Sequence, residues 1–459
     1  MLLHSSLENM EKTMQVDFLV AEIGSTTTYV NAINLTRQPY GFIGRGYAKT
    51  TVETDVTEGL KEAINDLRKQ LNVAEISYQK LFATSSAAGG LKMTVHGLVY
   101  DMTAKAAKEA ALNAGANVHF VTANLLTEDD LEMIHSIKPN IIVVAGGTDY
   151  GEKEVAFKNL NMLKDLNIPL IYSGNIENHI RIKKLNIPHL TIVENVYPRV
   201  DDFNIFPLRK AIYDVFEKHI IHAKGMHSIF EMVNGNVIPT PGAVMETTLL
   251  LNEINPNVMT IDVGGATTDV HSISEPQPQY QKYLEGEPIS KRTVEGDLGV
   301  YVNRESALIQ MSKYGYQKNV PLSEAESKAL LETEPFIPTT EKGKELIQQL
   351  AVSCAKIAVD RHAGDLRRIY TTSGMKVIPE GKDLSLVQTV YLTGGALNNN
   401  PMIKEALKMH FKNTTTKLLP RPNVNIVFDK DYLFASLGVL SIEYKEEVKT
   451  FLNQYLKEV

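Results

Sequence analysis

Three times an apolar segment of this chain runs into glycine with hydroxyl or amide side chains close behind: AEIGSTTT (21–28), IDVGGATTDV (261–270) and YLTGGALNNNP (391–401). Glycine lets backbone amides approach an anion, and the hydroxyls and N–H groups that follow form a concavity suited to phosphate oxygens. Two of the turns follow an acid, Glu22 and Asp262. A carboxylate cannot bind phosphate directly, but it can hold a magnesium ion through that ion's waters. One such turn alone carries little, because a strand ending in glycine is most often a plain hairpin with threonines on a solvated face. Two acid–glycine–threonine hairpins separated by a long segment, then a strand–Gly–Gly–helix turn, restrict the chain far more.

Composition bounds the rest. At 459 residues the chain exceeds a single core and implies two or more domains. With 43% hydrophobic and 22% charged residues it is neither disordered nor fibrous. A net charge of −7 gives no global attraction to nucleic acid or anionic lipid. The single cysteine, Cys354, rules out an intramolecular disulfide and any Cys-x-x-Cys zinc or iron–sulfur set. That usage fits a reducing, cytoplasmic setting. Residues 1–14 lack the basic and apolar regions of a secretory signal and read as a disordered tail. Apolar runs such as 141–145 are too short to span a bilayer.

Along the chain, FLVAEIG (18–24) and YVNAINL (29–35) read as paired strands, and 58–71 as a helix with Leu60, Ile64, Leu67 and Leu71 on one face. From 85 to 200, short strands (118–121, 141–145, 169–173, 191–193) alternate with helices (103–113, 127–137, 152–166). That rhythm predicts a parallel sheet with helical crossovers, an inserted doubly wound α/β module. NGNVIPTPGA (234–243), rich in turn residues, reads as a boundary. Beyond it come a helix at 245–251, a strand at 258–265, a long helix at 341–359 with Cys354 on its apolar stripe, and a strand at 389–395.

The order of the three turns resembles the signature of the superfamily that holds actin, hexokinase, acetate kinase and the heat-shock ATPases. Within it the chain is similar to the GlmL, or MutL, family: ATPase-like accessory proteins of adenosylcobalamin-dependent glutamate mutase and related aminomutases, distinct from mismatch repair. The blocks SSAAGGLKMTVHGL (85–98), IVVAGGTDYG (142–151), TVEGDLGV (293–300) and DKDYLFASLGVL (429–440) carry that narrower likeness. It implies a two-domain actin-like ATPase with duplicated ribonuclease H-like domains. The parts would be 15–84, the insert 85–200, 201–255 returning to the first domain, and 256–459 as the second. The resemblance also implies ATP and Mg2+ as cofactors and a mutase as protein partner, with damaged cobalamin exchanged as the nucleotide state changes the domain angle.

Carried over by position, Gly24, Ser25, Thr26 and Thr27 form the first phosphate loop, and Gly264, Gly265, Thr267 and Thr268 the second. Gly394, Gly395 and Asn398 flank the adenosine. Glu22, Asp262 and Asp269 organise magnesium through water, and Asp262 helps place the attacking water. The superfamily usually has aspartate where this chain has Glu22, which bears on hydrolysis more than on binding. Two further classes stand beside the reactivating chaperone: a small-molecule kinase or hydantoinase-type amidohydrolase, and a nucleotide-dependent assembly factor that does not hydrolyse. Glu295 and Asp297 read equally as a paired-acid site or as a capped turn. His219, His222 and His227 cluster too loosely for metal spacing.

Overall fold

The computed structural model describes residues 13–24, 27–51, 55–86, 91–200, 202–220, 229–284, 287–319, 321–335, 338–371, 374–397 and 400–457. The chain forms two compact units, Met1–Thr247 with Leu433–Glu458, and Thr248–Tyr432.

The first unit is built on β1 (Thr13–Ile23), β2 (Thr27–Asn34), β3 (Gly41–Lys49) and β4 (Glu75–Ser85). The last eight residues of β1 are buried, as a strand covered on both faces requires. β1, β2 and β3 form an antiparallel meander, and β4 pairs parallel to β1 through the crossover helix α1 (Val56–Gln70). Asp55 caps α1 by accepting from the Thr57 N–H. Leu60, Ala63 and Leu67 pack onto the sheet so closely that a Cβ on Gly46 would collide with the backbone of Ala63 and Leu67.

The chain then leaves for a second sheet: β5 (Leu91–Gly97), β6 (Ala116–Ala123), β7 (Ile141–Val144), β8 (Leu170–Tyr172) and β9 (Leu190–Ile192). All neighbours are parallel, in the order β6-β5-β7-β8-β9. The connecting helices are α2 (Lys105–Asn113), α3 (Glu128–Ile137), α4 (Glu154–Leu163) and the short α5 (His179–Lys183). Thr127 and Asp130 form the capping box of α3, which accounts for the acidic run there. Gly115, at φ +86, closes the turn after α2.

Helices α6 (Ile205–Ile220) and α7 (Ile229–Met232) lead back to β10 (Val237–Pro239), which joins β4 and completes the first sheet as β10-β4-β1-β2-β3. The turn-rich 234–243 lies just ahead of the division between the two units at Thr247 and Thr248. It holds β10 and the start of α8 (Thr240–Ile254), with Pro241 in the first helical turn, where a missing N–H is tolerated.

The second unit repeats the plan. β11 (Val258–Val263), β12 (Thr268–Ile273) and β13 (Ser290–Glu295) form the antiparallel meander. Helices α9 (Arg304–Lys313), α10 (Glu324–Thr333) and α11 (Glu341–His362) follow, then the hairpin β14 (Asp365–Thr371) and β15 (Gly374–Glu380). β16 (Thr389–Thr393) pairs parallel to β11, and after α12 (Ile403–Asn413), β17 (Asn425–Phe428) pairs parallel to β16. The order β13-β12-β11-β16-β17 matches β3-β2-β1-β4-β10 strand for strand. This is the ribonuclease H-like sheet in duplicate, the actin-like ATPase fold. Leu346, Leu350, Cys354 and Ile357 of α11 lie in the core under it, and burial raises the Cys354 thiol pKa well above its ordinary value.

The last helices, α13 (Phe434–Ser441) and α14 (Lys445–Tyr455), belong to the first unit rather than to the 256–459 domain expected from sequence. The Thr247 hydroxyl donates to the Phe434 carbonyl at 2.5 Å, and Gly438 lies where any Cβ would run into the Ala243 backbone. Among the described residues no helix is long and apolar enough to cross a membrane.

Candidate functional site

The duplicated sheets place two hairpins in matching register. In the first, Glu22 faces Tyr29 across the ladder and the Gly24 N–H donates to the Thr27 carbonyl at 3.0 Å. In the second, Asp262 faces Asp269 and the Gly264 N–H donates to the Thr267 carbonyl at 2.9 Å. Glu22 thus corresponds to Asp262, Gly24 to Gly264, Thr27 to Thr267 and Tyr29 to Asp269. Ser25 and Thr26 lie outside the described residues, as do Asn398, His222 and His227.

The glycine turn of the second hairpin is described throughout. Residues 300–303 strap its glycine turn: the Val300 N–H donates to the Gly264 carbonyl (3.2 Å), the Tyr301 and Val302 N–H groups to Gly265 (3.0 and 2.7 Å), and the Asn303 amide to Ala266 (2.7 Å). With these carbonyls drawn one way, planar peptides direct the following N–H groups the opposite way, which is the concavity an anion needs. The parallel pairing of Asp262 with Thr393 sets the third turn alongside. Gly394 there has φ +108, and a Cβ on it would meet the Val263 backbone, whereas Gly395 stands open. The structure therefore brings together Asp262, the 264–267 turn and Gly394–Gly395 at one edge of one sheet.

The acids differ in burial. Asp262 is half-buried at the end of β11. Asp269 is buried and ion-paired with Arg292, whose Nη2 lies 2.5 Å from Oδ1, while its Oδ2 accepts from the Thr267 hydroxyl at 3.0 Å. Glu22 is 5% exposed, and its Oε1 accepts from the Ser436 hydroxyl (2.6 Å) and the Asn31 amide (3.2 Å). Thr268, placed by sequence in the phosphate loop, is fully buried and donates to the Leu298 carbonyl at 2.5 Å. Its hydroxyl braces the turn rather than facing a ligand.

Glu295 and Asp297 both reach Arg361 at 2.7 Å, a buried-edge ion cluster rather than either alternative read from sequence. Burial pushes the Glu295 carboxyl up, with Arg361 opposing, and Asp297 above all holds Arg361 charged. Sequence reasoning missed Arg292, Ser436 and Asn303, because each acts across a long separation with no local motif.

A hydrated magnesium needs few protein ligands, so one half-buried carboxylate, a threonine hydroxyl and an amide-lined turn fit it. Among the described residues no three His, Cys, Asp or Glu side chains are grouped to hold a metal directly. Asp262 lies beside the strapped turn, and Asp269 and Glu22 hold protein donors.

Duplicated ribonuclease H-like sheets with glycine turns at matching strand ends place the chain in the actin-like ATPase class. A family model described as MutL protein matches residues 18–456, and Protein MutL of Clostridium tetanomorphum is 34% identical over 463 residues, covering 96% of this chain and 99% of that one. The chain belongs to the MutL protein family. Solved structures align at lower similarity: an ATP-dependent caprolactamase from Pseudomonas jessenii (10% identity, 92% of this chain and 70% of that one, TM-score 0.38) and an activator of 2-hydroxyisocaproyl-CoA dehydratase from Clostridium difficile with bound ADPNP (9%, 96% and 97%, TM-score 0.31). The fold assignment rests on the strand orders above.

Proposed function

We propose that this protein binds ATP with magnesium and uses it as a reactivating accessory protein for an adenosylcobalamin-dependent amino-acid mutase. The strapped 264–267 turn beside Asp262 and Gly394–Gly395 carries the nucleotide part of the proposal. Membership of the MutL family supports the mutase part.

Magnesium, when bound with the nucleotide, would supply charge neutralisation at the phosphates. The chain's own residues do the remainder. The amides after Gly264, Gly265 and Ala266 receive phosphate oxygens, and Asp262 orients the waters around the ion. Arg292 fixes Asp269, which holds the Thr267 hydroxyl in place. Gly395 leaves room for the nucleoside.

The test is magnesium-dependent ATP binding and hydrolysis, with and without an oxygen-inactivated aminomutase carrying hydroxocobalamin. Hydrolysis stimulated by the mutase, with return of mutase activity, is the expected result. Turnover indifferent to the mutase would contradict the accessory role.

A further inference from the structure

The duplicated sheets differ in the stretch between the crossover helix and the strand that follows it. In the first unit α1 ends at Gln70 and β4 starts at Glu75. In the second, α11 ends at His362 and β16 starts at Thr389, and the added length holds the hairpin β14–β15. That hairpin joins none of the five-stranded sheets. The first unit closes the same sheet order without a counterpart, so the fold itself does not call for one.

Antiparallel register decides which of the hairpin's side chains share a face, because directly opposed residues point the same way. Tyr370 opposes Met375, Arg368 opposes Val377 and Leu366 opposes Pro379. On this face Pro379 is buried and Leu366 half-buried, whereas Val377 is 46% exposed, Met375 53% and Tyr370 85%. Opposed and diagonal neighbours of this kind lie within side-chain reach of one another, so the three form one patch. Exposed apolar residues scattered singly mean little, but an adjoining set marks an interaction surface. The root beneath the patch is held firmly. The Leu366 N–H donates to the Thr416 carbonyl (2.8 Å), the Gly364 N–H donates to the Lys382 carbonyl (2.7 Å), and Asp365 pairs with Lys417 at 2.9 Å. A two-stranded hairpin is marginal by itself in water, and these bonds tie it to the unit.

Charge then indicates the occupant. Within the hairpin, Asp365 is neutralised by Lys417, and Glu380 by Arg367 at 2.5 Å. Arg368 and Lys376 have no ion-pair partner among the described residues, and Arg368 stands on the apolar face itself. Both unbalanced charges are positive, on a chain whose net charge is −7. A second copy laid face to face would crowd two Arg368 side chains onto one small patch. The overall negative charge opposes an anionic lipid surface. Lys376 and Pro379 hinder the addition of a further strand along β15, so the contact is through the face and not the edge. What suits this face is a protein surface that is apolar at its centre and edged with carboxylates.

We infer that the Tyr370, Met375 and Val377 face of β14–β15 docks such a protein, with Arg368 steering its approach. Resting on the accessory role proposed above, the mutase is the protein with which to test it.

The experiment is association of the full-length protein with the aminomutase holoenzyme at low and high salt, with magnesium–ATP binding as an internal control. Tyr370→Ala and Met375→Ser, both at exposed positions, should each weaken association about tenfold. Arg368→Glu should slow association about tenfold at low salt and much less at high salt, and Arg368→Lys should restore the rate. Ile369→Ala, on the opposite face, should have no effect, and ATP binding should not change in any variant. Association indifferent to Tyr370 and Met375, or weakened equally by Ile369→Ala, would overturn the inference. Self-association of the protein, or its binding to phosphatidylserine vesicles, would also overturn it if Tyr370→Ala abolished that binding instead. Mutase reactivation by Tyr370→Ala at wild-type strength would remove this surface and leave the proposed function standing. Wild-type protein that neither associates with the mutase nor responds to it would remove that function, and this inference with it.

Discussion

The two ribonuclease H-like sheets share strand order and hairpin register but are stabilised by different chemistry at corresponding positions. In the first, Asn31 ties the sheet together, donating to Glu22 and Ser436 while its carbonyl accepts from Arg45 at 2.7 Å, and the Arg45 guanidinium lies 5.4 Å from the Tyr29 ring centre. In the second, the corresponding residues are His271, Arg292 and Asp269, and the arginine forms a buried ion pair. His271 is fully buried, and neither ring nitrogen has a hydrogen-bond partner among the described residues. A shared backbone plan thus constrains where side chains point and leaves open which interaction fills each place. The first hairpin is braced by hydrogen bonds to Glu22 and a cation–π contact, the second by a buried ion pair.

The largest expected difference lies in the arginines. Arg292→Ala leaves Asp269 buried without its counterion and should cost the second unit about 3–5 kcal/mol. Arg45→Ala, at a half-exposed position, should cost the first unit about 1 kcal/mol. Denaturant unfolding followed by hydrogen exchange in β12 and β2 separates the two; equal losses would break the comparison.

Next come the helix contacts. Gly46 lets α1 approach the first sheet, and its counterpart Thr293 instead shares a hydrogen bond with His362 Nδ1 at 2.9 Å. Gly46→Ala should destabilise by about 1–3 kcal/mol through overpacking, and Thr293→Val by about 1 kcal/mol through a lost hydrogen bond. Thermal unfolding of the two variants measures both, and a milder effect at Gly46 would count against the close packing of α1.

Acid should expose the third difference. Burial holds His271 and His362 well below the ordinary histidine pKa of 6.5. The unfolded chain takes up protons as pH falls below that value while the folded sheet resists, so this contribution to stability is full above pH 6.5 and declines below it. The exchange protection of β12 should therefore weaken on acidification before that of β2. His271→Leu should reduce the effect without loss of stability at neutral pH, whereas Asn31→Leu should destabilise at every pH. Parallel decline of both strands would remove the distinction.

The hairpins, four of the five strands of the parallel module and the Cys354 stripe were legible because they depend on local periodicity and turn chemistry, whereas β5 (Leu91–Gly97) was not read as a strand. Nor was β3: GFIGRGYAK, whose three glycines hide a strand pattern, was left unassigned, yet Gly44 and Gly46 are there to admit α1. The return of α13 to the first unit was also hidden, since it depends on Gly438 meeting Ala243 far away in sequence. Within the site, the glycines and Asp262 were visible as motif residues. The partners of Thr268, Asp269 and Glu22, namely Leu298, Arg292 and Ser436, were not visible because they are set by tertiary pairing.

Calorimetric titration of magnesium–ATP into the wild-type protein and Asp262→Ala tests the central claim most directly. The account predicts binding by the wild type only with magnesium, and its loss in a variant that keeps the wild-type circular dichroism. Equal magnesium-dependent binding by both proteins would contradict the assignment of the second hairpin as the nucleotide site.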